Sequence, residues 1–329
     1  MKRTFLLILT TFLFVSPVQA SDKGFFSYIE QLPSGNIDWN EGYFYGIGLG
    51  YPHLNDGSKA KALRVAQAGA LSAILQVASK VRVDDTHLLK DLVREKLIIQ
   101  IKGLVRYEPY KREFIRKKPH SFYKVVYRAP LSGVEGLTTR LLNQLRTQSS
   151  SWKDLPQPGR SGDVDDSSRP WLVLDARGLE KQAPVQPAIF PKIVTEKGET
   201  LYEANKVDEE ALKKRGMAKY VVSDKSREDL ASCPAQPPWD WLLDLVAPCA
   251  AQAQERQRRK RRGQYIVKDV QGVQGLMKTN VIISESDAKS IRKEDASNQI
   301  LKKCRVIVIA SSSLGGIEGK ALKYLALGR

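Results

Sequence analysis

Gly46, Gly48 and Gly50 follow an aromatic run and precede a long alanine-rich segment, the order in which a dinucleotide-binding loop presents its glycines. That loop needs its third glycine three positions after the second, where this chain has Tyr51. Pro52 also postpones the helix whose N-terminus would face the pyrophosphate. The stretch reads instead as a strand whose glycine side lets another backbone press close. LGGIEGKA, residues 314 to 321, imitates a phosphate-binding loop behind an apolar strand. Leu314 stands where its first glycine belongs, and Ala321 where the magnesium-holding hydroxyl belongs. This motif fails, and residues 311–329 read as a C-terminal tail.

The histidines, His53, His87 and His120, lie in unrelated sequence contexts with no Cys, Asp or Glu at metal-site spacing, and no serine sits in a nucleophile elbow. The acidic pairs Asp84 with Asp85 and Asp165 with Asp166 fall at a strand end and in a polar linker, where solvated carboxylates account for them. The expectation is therefore a chain with no catalytic constellation, no metal and no cofactor: not an enzyme.

Two candidate binding features remain, both in one segment. Cys233 and Cys249 bracket a proline-framed stretch and could clamp it as a disulfide, which would stabilise by roughly 3 kcal/mol through chain entropy. Cys304 is left over and reads as a buried free thiol. Just beyond the bracket, Arg256, Arg258, Arg259, Lys260, Arg261 and Arg262 form a basic run that could dock on an anionic surface. Trp239 and Trp241, just upstream, could supply an interfacial apolar contact. The competing reading is a solvated arm, since Pro248 interrupts any continuous amphipathic helix.

The surrounding elements set the context. Residues 1–20 carry Lys2 and Arg3, an apolar core from Phe5 to Val15 and a small-residue ending at Ala20, which together read as a cleaved secretory signal peptide. The mature protein is then expected in the periplasm, with no later apolar run long enough to span a membrane. Loss of Lys2 and Arg3 lowers the net charge from +17 to +15. A basic exported protein is expected to meet anionic lipid, lipopolysaccharide or acidic wall polymer rather than nucleic acid.

Residues 21–36 read as a lead-in to a first domain, 37–146. Tyr43, Tyr45, Ile47 and Leu49 alternate with Phe44 and the glycines, giving a strand. A helix capped by Asn55, Asp56 or Ser58 follows, its face made by Leu63, Ala66, Ala70, Ile74 and Val77. Val81 and Val83 open another strand, and a short helix follows from His87 to Lys96. A hairpin is expected from 97–115 and 122–129 around the basic turn Arg116 to His120. Val134, Leu137, Leu141 and Leu145 stripe a closing helix. The class is α+β, with an antiparallel-rich sheet and both helices on one face.

Residues 147–170 form a polar linker. A second α/β or α+β domain spans 171–310, with strands at 171–176, 188–194, 220–222, 265–268, 281–284 and 304–310 and helices at 208–215 and 287–291. Residues 224–263 interrupt its pattern as an insertion.

Trp39, the glycine strand, the alanine-rich helix, Val81 to Asp84, the hairpin and Pro130 with Leu131 resemble the domain shared by LPP-type envelope lipoproteins and the N-terminal part of flagellar assembly protein T. The segments WLVLDARGL, PAIFPKIV and KKCRVIVIA resemble an uncharacterised segment that follows such domains in some envelope proteins. The resemblance implies a periplasmic structural or assembly factor of a Gram-negative envelope machine, with envelope or flagellar protein subunits as partners. The second reading is a peripheral envelope-binding protein that docks through the basic arm.

Overall fold

A computed structural model describes residues 25–92, 103–148, 169–179, 183–223 and 265–310. The residues expected as leader (1–20), most of those expected as linker (147–170), and those expected as insertion (224–263) and tail (311–329) lie outside them. The fold is α+β, with three sheets among the described residues.

The chain enters through β1 (Phe25–Ser27), β2 (Ile29–Leu32) and β3 (Gly35–Asp38). β4 (Tyr43–Gly50), β5 (Glu108–Ile115) and β6 (Phe122–Pro130) complete a wholly antiparallel sheet, ordered β2-β3-β4-β6-β5. The glycine side of β4 lies directly under α1 (Lys59–Ser79), which Ser58 caps by accepting the N–H of Lys61. A Cβ at Gly48 would stand 2.0 Å from the carbonyl oxygen of Ala66, and one at Gly50 would stand 1.9 Å from that of Ala62. Three glycines on the strand and a row of buried alanines on the helix thus bring two backbones into direct contact. By length and composition alone α1 could cross a membrane, contrary to the expectation that no later run could. Its small-residue face is packed on β4, as in a core helix.

The second sheet is built from β7 (Trp171–Asp175), β10 (Lys219–Ser223), β11 (Tyr265–Asp269) and β14 (Val306–Ala310), all parallel, in the order β10-β14-β7-β11. Continuous Val, Ile and Leu in β7 and β14 fit strands buried on both faces. A smaller sheet orders β12 (Gly272–Gln274), β13 (Asn280–Ile283), β8 (Ile193–Thr195) and β9 (Thr200–Tyr202). Further helices among the described residues are α2 (Leu89–Leu92), α3 (Leu137–Gln148), α4 (Glu209–Arg215) and α5 (Glu285–Asn298).

Residues 25–32, expected as lead-in, are strands of two different sheets. β1 pairs antiparallel with β10 of the parallel sheet, whereas β2 pairs with β3 of the antiparallel one. Tyr28 sits at the crossing, donating its N–H to Tyr220 and accepting that of Trp39. One buried apolar cluster accordingly runs from Ile37, Phe44 and Leu141 to Leu172, Tyr220 and Val306.

Other expectations shift locally. Val81 to Val83 is not a strand but a single bridge, Arg82 to Leu88. The Arg82 and Val83 carbonyls are instead taken by the N–H groups of Ile189 and Phe190. For that reason residues 188–192 are not strand either, and β8 begins only at Ile193. Val134 lies outside α3, 83% exposed on a turn, while Leu137, Leu141 and Leu145 are buried. Gly103 and Leu104 are helical, so the first hairpin strand begins at Glu108 rather than 97.

Candidate functional site

Charged groups inside the molecule concentrate where the two large sheets meet. The Arg82 guanidinium donates to both oxygens of Glu30, at 2.8 and 2.7 Å, and the Trp39 indole N–H donates to the same carboxylate at 3.0 Å. The Trp39 ring meets Tyr220 edge-on, with 6.0 Å between centroids. Nearby, Lys219 Nζ donates to the Asn40 carbonyl at 2.9 Å, and burial pulls its pKa down. Asp38 accepts the N–H groups of Asn40 and Glu41; burial raises its pKa, against the pull of those two bonds. Farther along, Arg146 on α3 grips both oxygens of Glu209 on α4, at 2.8 and 2.7 Å. Lys213 joins the same carboxylate at 2.8 Å. Hydrogen bonds from Arg146, then Lys213, hold the Glu209 pKa down at about 2. These groups partner one another across the seam; chemically, the arrangement fastens two sheets together.

The face of the antiparallel sheet opposite α1 is aromatic and basic. Arg128 lies over the rings of Tyr43 and Tyr110, at 4.8 and 5.0 Å, while its Nε donates to Glu108 at 2.7 Å. Tyr45 meets Tyr110 edge-on at 5.3 Å. At the far end of the sheet the 3-10 turn Pro52–Leu54 and the β5–β6 turn come together. His53 and His120 stack there, 3.7 Å apart, beside Tyr51 and Phe122. Lys59 sits 5.3 Å over the Phe114 ring.

Sequence reasoning placed these two histidines in unrelated contexts, and the structure corrects that. The signal lay in the register: Gly50 faces Tyr123 across the β4–β6 ladder, so the third residue beyond one meets the third residue before the other. His87 lies 3.1 Å from the Asp84 carboxylate. Asp84 also accepts the N–H groups of Thr86 and His87, so it shapes a turn rather than standing free in solvent. Among the described residues no cluster of three or more His, Cys, Asp or Glu could hold a metal. Cys304 is a buried free thiol, its pKa pushed up to about 12 by burial. Cys233, Cys249, Trp239, Trp241 and the basic residues Arg256, Arg258, Arg259, Lys260, Arg261 and Arg262 lie outside the described residues.

The class this architecture defines is an α+β protein in which a five-stranded antiparallel sheet and a four-stranded parallel core, extended by β1, share one interior. Over residues 171–312 the chain is similar to the second domain of Treponema pallidum Tp0624. That stretch contains every strand of the parallel and small sheets except β1. This finding corrects the resemblance to LPP-type lipoproteins and flagellar assembly protein T: the family found is a different one, and it lies on the other part of the chain. No curated protein matches the chain.

Proposed function

We propose that this protein is a non-catalytic structural or assembly component of a bacterial cell envelope, exported to the periplasm and working by binding protein subunits. One observation carries the reading. The ionic groups gathered inside the described body are engaged with one another: Glu209 with Arg146 joins its two halves, and Glu30 holds Arg82, whose carbonyl receives the N–H of Ile189 from the other half. A body fastened in this way holds its outer surfaces in a fixed relation, as a docking component requires. The leader-like residues 1–20 support export.

A second reading, peripheral attachment to anionic lipid or wall polymer through residues 256–262, is favoured by the density of cations in that run. Envelope fractionation separates the two. Membranes are washed with high salt and then mild detergent, and the companions of the protein are identified by mass spectrometry. The assembly reading expects retention through salt and co-release with defined subunits. Release by salt alone, without companions, would remove it in favour of surface attachment. Deleting residues 251–262 should leave the subunit contacts in place under the first reading and detach the protein under the second.

A further inference from the structure

The end of the antiparallel sheet that carries the His53–His120 stack has a composition the seam does not account for. Arg116, Lys117 and Lys118 are consecutive and exposed at the apex of the β5–β6 turn. Among the described residues none of the three is paired with a carboxylate. The two acids near this end are already engaged, Asp56 by Lys61 at 2.8 Å and Glu113 by Lys111 at 2.9 Å. Beside these cations Leu54 projects from the 3-10 turn with 72% of its surface exposed, and Leu49 at the end of β4 is 44% exposed. Both turns are tied into one rigid tip by the stacked histidines and by the contact of Tyr51 with Phe122 at 5.2 Å.

We propose that this tip docks on the surface of an anionic lipid bilayer, with Arg116, Lys117 and Lys118 on the headgroups and Leu54 seated in the interfacial layer. Three unpaired cations complement a negative surface, and the exposed Leu54 and Leu49 on the same tip give it an apolar point to seat there. A soluble anionic polymer would be gripped by open aromatic faces. Here those faces are filled, His53 by His120 and Phe114 by Lys59. A flat bilayer needs only an apolar point within a basic rim. The proposal requires neither export nor a protein partner, and it uses a different segment from the 256–262 run.

The test is co-sedimentation of the full-length protein, as recovered from cells, with vesicles of phosphatidylcholine alone or carrying phosphatidylglycerol. Binding should require phosphatidylglycerol and weaken as salt rises. R116Q/K117Q/K118Q should lower partitioning roughly a hundredfold, because each basic residue near an anionic surface contributes about a fivefold factor. L54S should weaken binding while leaving its salt dependence intact. These side chains are exposed, so thermal unfolding should be unchanged and the loss read as one of docking. Deletion of residues 251–262 should leave most of the binding in place. Equal binding to both vesicles, parental binding by the triple variant, no binding by the parent, or loss confined to the deletion would each overturn the proposal. Retention on an anionic polysaccharide without vesicle binding would do the same.

Discussion

Arg82 and Glu30, 52 positions apart, meet as a two-pronged ion pair with both side chains largely withdrawn from water. Glu30 lies on β2, next to the crossing at Tyr28, and Arg82 lies on the segment whose carbonyls receive Ile189 and Phe190. The pair therefore fixes the point where one strand leaves the parallel sheet and the next joins the antiparallel one. Trp39, just past the neighbouring strand β3, shares the carboxylate, so one group satisfies both the β2–β3 hairpin and the distant Arg82 segment.

Breaking this pair from one side leaves a charge without its partner in a mostly dry setting. Arg82→Met or Glu30→Gln should each cost about 3 kcal/mol, well above the median for an exposed pair. Replacing both should cost less than the sum of the two. A double-mutant cycle in urea measures the difference, and strict additivity would show that the two side chains act independently.

Gly48 tests the backbone contact between β4 and α1. A methyl group there meets the carbonyl of Ala66 and the N–H of Ala70, which belong to the helix itself and cannot swing aside. Gly48→Ala should destabilise by about 3 kcal/mol through overpacking, although alanine has the better intrinsic preference for a strand interior. A denaturation midpoint at or above the parent's would mean that the helix can lift off the sheet without loss.

That contact is also where the sequence was easiest to read. The alternation of Tyr43, Tyr45 and Ile47 with glycines, and the alanines at helical spacing after Ser58, encode strand, helix and close approach through local pattern alone. The second hairpin strand and the strands expected at 171, 220, 265, 281 and 304 are legible for the same reason, with the observed ones starting at 171, 219, 265, 280 and 306. What escaped was decided by distant partners. β1 and β2 are short and broken at Tyr28, and nothing nearby announces that they serve different sheets. Val81 and Val83 alternate like a strand, yet the carbonyls of Arg82 and Val83 meet residues 189–190 and only one bridge forms. Val134 keeps helical spacing with Leu137, but the Gly133 and Gly136 turn holds it outside the helix, where Thr139 donates its hydroxyl to the Gly133 carbonyl. The aromatic-basic tip needed the register of two strands before its histidines could be seen to touch.

Cys304 gives a chemical check on the interior. Burial raises its pKa to about 12, so the nucleophilic thiolate is scarce near neutrality as well as inaccessible. Iodoacetamide at pH 8 should leave Cys304 unmodified in the native protein and modify it fully in urea. Peptide mapping distinguishes it from Cys233 and Cys249. Rapid native labelling of Cys304 would mean that the segment leading into β14 parts readily from β9, because the thiol lies beside the buried Tyr202.

Glu209 makes the same seam sensitive to acid. Its pKa falls from an ordinary 4.5 to about 2 in the folded protein, because Arg146 and Lys213 donate to the ionised carboxylate. The unfolded chain thus takes up the proton first as pH drops. The contribution of this group is complete above about pH 4.5 and is lost as pH falls toward 2. Glu209→Gln keeps the shape but removes the charge, so it should cost about 2 kcal/mol at neutral pH. Below pH 4.5 the variant and the parent should converge, leaving the variant with the shallower decline. Urea unfolding at pH 7, 4.5 and 3 measures this directly. A constant difference at all three values would show that Glu209 is held by shape and packing, and that the α3–α4 joint does not depend on its charge.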